Sequence, residues 1–104
     1  MTEYIVVLVT APTEKVAATI GKALVKAKLA ACVNIITRIR SIYTWQGKIY
    51  DEPELLMIIK TRKPCFGRLE KLVRSIHPYQ VPEIIALPIT AGTKKYLKWV
   101  EESV

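Results

Sequence analysis

At 104 residues, with 51% hydrophobic and 24% charged side chains, the chain has the makings of one globular domain over residues 1–104 and is too apolar for disorder. Its net charge of +7 comes from 16 Lys and Arg against 9 Asp and Glu, but no run of five or six like charges occurs, so most read as solvated faces. Two cysteines, Cys32 and Cys65, exclude a disulfide framework and a CxxC pair.

No apolar stretch is long enough to span a bilayer, and no basic segment precedes the first apolar run. A reducing, cytoplasmic location is the expectation. A domain of this size buries only about two-thirds of the surface its unfolded chain exposes. The apolar surplus is therefore expected to meet other subunits.

Residues 4–10 (YIVVLVT) are β-branched and almost wholly apolar, which predicts a central strand. Ala11-Pro12 breaks it, and Thr13 is placed to cap a helix whose first turn holds Glu14. Val16, Ile20, Leu24 and Ala27 recur at helical spacing as far as Lys28, with Lys15, Lys22 and Lys26 opposite. Gly21 inside that helix suggests a close neighbour.

Residues 29–36 and 39–45 read as a second strand with an irregularity at Thr37-Arg38, and Gln46-Gly47 as the turn that sends the chain back. Asp51-Glu52-Pro53-Glu54 is expected to interrupt the return as a bulge or short loop before a third strand over 55–61. The long hairpin carries Tyr43, Trp45 and Tyr50 towards its tip, so these three are expected between subunits.

Pro64 suits the first turn of a second helix, with Leu69, Leu72, Val73 and Ile76 as its apolar stripe and Pro78 as its stop. A fourth strand over 83–89 and a short helix over 94–102 complete the order. Strand, helix, two strands, helix, strand predicts an α+β ferredoxin-like sheet, antiparallel, with two helices on one face, an extended hairpin and a C-terminal helix.

The corner from His77 to Glu83 holds the single histidine, and Pro78 and Pro82 bracket Tyr79 within it. His77 offers an imidazole to a metal, Glu83 a carboxylate, and Cys32 or Cys65 a thiolate. No His/Cys pair has the spacing of a zinc site, and a histidine ending a helix has a purely structural reading as well. His77 and Glu83 also suit an acid–base pair. No Ser-His-Asp order, phosphate-binding glycine loop or paired active-site carboxylates can be read, so the expectation is no enzyme. The middle strands show aliphatic side chains where RNA-binding sheets of this kind display stacking aromatics, so no nucleic-acid partner is expected.

Residues 31–35 (ACVNI), 41–48 (SIYTWQGK), 58–61 (IIKT), 77–84 (HPYQVPEI) and 96–99 (YLKW) closely resemble the CutA family of divalent-cation-tolerance proteins. That resemblance covers nearly the whole chain. It implies a homotrimer similar to PII signalling proteins, tolerance of divalent metals such as copper, and metal binding; in animals it also implies a link to acetylcholinesterase anchoring. The family's copper ligands are a cysteine near the end of the first strand and a histidine pair before Pro-Tyr. This chain has Val9 and Ile76-His77 there, which leaves His77, with Glu83 as an oxygen donor. The alternative is a trimeric PII-like signalling, ligand-binding or scaffolding module without a specific metal role, whose subunit clefts hold a small ligand or a partner loop near Tyr79 and Glu83.

Overall fold

The computed structural model describes residues 3–104; the first two residues of the expected domain lie outside the described part. Its first strand, β1 (Tyr4–Ala11), alternates strictly: Ile5, Val7, Val9 and Ala11 are buried, and the side chains between them half-buried. Ala11-Pro12 ends it. The Thr13 hydroxyl then accepts from the Val16 N–H at 3.2 Å and starts α1 (Glu14–Lys26). The buried stripe of α1 is Ala17, Ile20, Gly21 and Leu24. Ala27, expected inside, is exposed, because the helix has already ended. Lys28 turns the chain at a φ of 59° while the Leu29 N–H bonds the Leu24 carbonyl at 2.9 Å.

Leu29, Ala30 and Ala31 complete that turn in buried positions, so the second strand, β2 (Cys32–Trp45), starts three residues later than its apolar run suggests. Gln46 and Gly47 both have positive φ, 52° and 78°, as a two-residue primed hairpin turn requires. β3 (Lys48–Arg62) then runs back without a break. The expected interruption at 51–54 is absent: Asp51, Glu52, Pro53 and Glu54 pair in register with Ile42, Ser41, Arg40 and Ile39. The irregularity lies on the other strand, at Thr37-Arg38, where the register shifts by one between Ile36 and Ile39.

A short 3-10 turn (Lys63–Cys65) with Pro64 in its first positions leads into α2 (Phe66–Ile76), which buries Leu69 and Val73. β4 (Ile84–Pro88) and α3 (Lys94–Ser103) follow, the latter capped by Thr93. The sheet order is β2-β3-β1-β4, with every neighbouring pair antiparallel. One core, built from the odd-numbered face of β1, the matching face of β3, α1 and α2, fills the space on one side. Truncating Leu24 or Leu69 there would cost about 2–5 kcal/mol. Cys32 lies across from Lys60 and interacts with the Tyr96 hydroxyl, which puts α3 on the opposite side of the sheet. Val100 is its buried residue, and Trp99 stacks obliquely on Tyr96 at 5.5 Å.

The paired strands beyond β1 form an arm. Its length shows in extents of 44 × 25 × 22 Å and a radius of gyration of 14.2 Å, against about 13 Å for an ordinary domain of this size. Large apolar side chains lie bare along it, with Ile42 65% and Ile49 72% exposed.

Candidate functional site

The one-residue shift at Thr37-Arg38 decides what the arm displays. In a strand a slip of one position turns every later side chain to the other face. Beyond the shift, Tyr43 therefore stands opposite Tyr50, and Ile39 and Ser41 opposite Glu54 and Glu52. The two tyrosine rings stack with centroids 5.4 Å apart and planes 16° from parallel. The Tyr43 hydroxyl donates to Glu52 Oε1 at 3.3 Å, and Lys48 Nζ sits 5.5 Å from the Tyr50 ring centre. On the same ribbon Arg40 and Asp51 form a two-pronged pair at 2.8 and 2.6 Å, which holds the Asp51 carboxyl below its ordinary pKa.

The corner after α2 comes to this ribbon from the other side. Helix geometry ends at Ile76 because Pro78 excludes it for the residue before. His77 keeps its N–H on the Val73 carbonyl at 2.8 Å while its backbone turns extended. The imidazole is carried inward and is only 7% exposed. Nε2 lies 2.7 Å from the Thr10 carbonyl of β1, and Nδ1 receives the Tyr79 N–H at 3.1 Å. The rings of His77 and Tyr79 lie 4.7 Å apart. From there the Tyr79 hydroxyl donates to Glu54 Oε2 at 2.8 Å.

Between corner and arm lies a cleft of about 810 Å³ whose walls include Tyr43, Trp45, Tyr50, Tyr79, Glu54 and Glu83. Of the residues expected from sequence, Glu83 and the three arm aromatics line it together. His77 lies behind it and braces Tyr79. Glu54, only 8% exposed, belongs to the site without a mark of its own in the sequence: it is the last of the acidic residues Asp51, Glu52 and Glu54, at the head of an apolar strand run. Partial burial and then the Glu54 charge hold the Glu83 carboxyl above its ordinary pKa. Burial and the bond to Glu54 push the Tyr79 phenol well above its own. None of the ion pairs found among the described residues involves Glu54 or Glu83.

The donors for a tight soft-metal site are not gathered here. Val9, at the place where the resemblance implies a cysteine, is fully buried, and both nitrogens of His77 are engaged. Cys32 lies opposite Lys60, four residues along β3 from the partner of Thr10, which is about 13 Å. Cys65 is buried at the start of α2. Among the described residues no group of three or more His, Cys, Asp or Glu side chains is placed to hold a metal ion, and no helix is long and apolar enough to cross a membrane.

Comparison with known proteins agrees along almost the whole chain. The family model described as CutA1 divalent ion tolerance protein matches residues 5–103. A divalent-cation tolerance protein CutA from Thermus thermophilus is 52% identical over 98 residues, covering 94% of this chain and 95% of that protein. The human protein CutA is 52% identical over 94 residues, 90% of this chain, and the chain spans about half of its length. Among solved structures, the Thermus thermophilus Cut A1 superposes with a TM-score of 0.93 at 51% identity, over 99% of this chain and 98% of that one. A protein titled periplasmic divalent cation tolerance protein CutA, from Archaeoglobus fulgidus, superposes at 0.91 with 42% identity, over 99% and 98%.

Proposed function

The chain belongs to the CutA1 family of divalent ion tolerance proteins, and on that footing we propose that it is a non-catalytic homotrimer of the cytoplasm that binds divalent cations, copper among them, weakly. The observation that carries the assembly is the bare apolar arm. Ile42, Ile49, Tyr43 and Trp45 on the arm, and Ile85 and Leu87 on β4, are too much exposed greasy surface for a single 104-residue subunit. Copies related by a closed rotation would cover both at once. In that assembly Tyr43, Trp45 and Tyr50 meet a neighbouring subunit. Two unpaired cysteines suit a reducing compartment.

Weak cation contact falls to Glu83. Its carboxylate faces the charge of Glu54 in the cleft, and none of the ion pairs among the described residues involves either group. Arg40 on the same wall is taken up by Asp51, and a cation between the two carboxylates relieves both. The ring of His77 does not fit the part of copper ligand, since a cation would have to displace one of its two bonds. The four aromatic rings of the cleft favour a second reading, a PII-like module that holds a small ligand there.

Sedimentation velocity at micromolar concentration tests the assembly: the parent runs as a trimer and Ile49→Glu as a smaller species. A parent that sediments as a monomer overturns it. Titration with copper and with manganese, followed by Trp45 fluorescence in a Trp99→Phe background, tests the cation. Saturable, weak quenching that Glu83→Gln removes is expected, and the absence of any response rejects it.

A further inference from the structure

We infer that His77 is a positioning residue locked in one tautomer, which sets Tyr79 across the cleft and leaves no free lone pair for a metal. The partners fix the protons. A backbone N–H only donates, so Nδ1, facing the Tyr79 N–H at 3.1 Å, must hold a lone pair. A backbone carbonyl only accepts, so Nε2, 2.7 Å from the Thr10 oxygen, must carry the hydrogen. The neutral ring is thus complete on both sides inside a site where it is 7% exposed. A metal at Nδ1 would orphan the Tyr79 amide, and one at Nε2 would need that proton removed and the Thr10 carbonyl left without its donor. Each is a buried polar group stripped of its partner, the costlier side of hydrogen-bond exchange.

The same two bonds explain what the ring does. One ties the corner to β1, and the other fixes the backbone of Tyr79, whose hydroxyl then reaches Glu54 Oε2 at 2.8 Å. His77 thereby links three parts of the fold that are distant in sequence and decides where one wall of the cleft stands. This inference rests on the cleft as the functional site, not on the cation reading.

The test uses the full-length chain labelled with nitrogen-15 and zinc as a diamagnetic divalent probe. The ring of the parent should show a protonated Nε2 and a bare Nδ1, and neither signal should move saturably as zinc is added. Exchange of the Tyr79 amide should quicken roughly two- to tenfold in His77→Ala, the range one hydrogen bond of ordinary net strength provides. It should return towards the parent value in His77→Asn, whose side-chain oxygen stands near the position of Nδ1. A saturable zinc shift at either ring nitrogen overturns the inference, as does an unchanged Tyr79 amide in His77→Ala. If both variants fail to fold, the parent spectrum alone decides. Should zinc bind nowhere while the ring is as described, the cation role of Glu83 falls and the assignment of His77 stands.

Discussion

The Tyr79 hydroxyl donates to Glu54 Oε2 over 2.8 Å and so fastens the corner after α2 to the third strand. Glu54 is 8% exposed, so its carboxylate depends on that bond for part of the solvation it has lost. Tyr79→Phe removes the donor and leaves the carboxylate short of a partner, at a cost of about 1–3 kcal/mol. Glu54→Gln keeps an acceptor and should lose less. Urea denaturation of the two variants beside the parent checks the order.

Glu83 should make stability fall as the solution becomes less acid. Burial and the Glu54 charge hold its folded-state pKa above the ordinary carboxylate value. The protonated form is therefore the one the fold favours. Its contribution is complete below the unfolded pKa, about 4.3, and is lost as pH rises through the raised value. Glu83→Gln should melt slightly higher than the parent at pH 7 and level with it below about pH 4. Thermal melts across that interval check the sign.

Gly47→Ala should destabilise the arm by about 1–2 kcal/mol, the penalty for an L-residue in left-handed backbone. The new Cβ would meet no atom within 4 Å, so the loss is conformational and not steric. Gly47→Asn, which tolerates that conformation, should lose less. Denaturation midpoints separate the two variants.

Thr61→Val preserves shape and removes one donor. Thr61 is fully buried, and its hydroxyl reaches the Leu29 carbonyl at 2.7 Å, closing the turn after α1 onto β3. A loss of about 1–3 kcal/mol is expected, with faster amide exchange confined to residues 27–31. Native-state hydrogen exchange measures both effects.

The strand and helix order could be read because its stops are local. Pro12 with Thr13, Gln46-Gly47, Pro64 and Pro78 each act on the residues beside them. What could not be read depended on partners far along the chain. Asp51 to Glu54 look like a break, since acidic residues and proline are poor in strands, yet Arg40 and its neighbours hold them in register. The site was half visible: the lone histidine and flanking prolines mark the corner, and the arm's aromatics mark the opposite wall. The corner's anchors were not visible, because Thr10 lies 67 positions from His77 and Glu54 lies 25 from Tyr79.

The turn at Gln46-Gly47 also bears on how the chain finds its shape. Positive φ at both central positions matches the natural twist of the flanking segments, so closing this ribbon costs almost no loop entropy. Such ribbons zip in about 1–10 μs, well before the first segment can meet its distant neighbours. The local ladder stays in step as far as Thr37-Arg38, and beyond it the third strand also pairs with Ile5 to Ala11, a partner much farther along the chain. The outermost part of the molecule is thus the part whose pairing is most local in sequence.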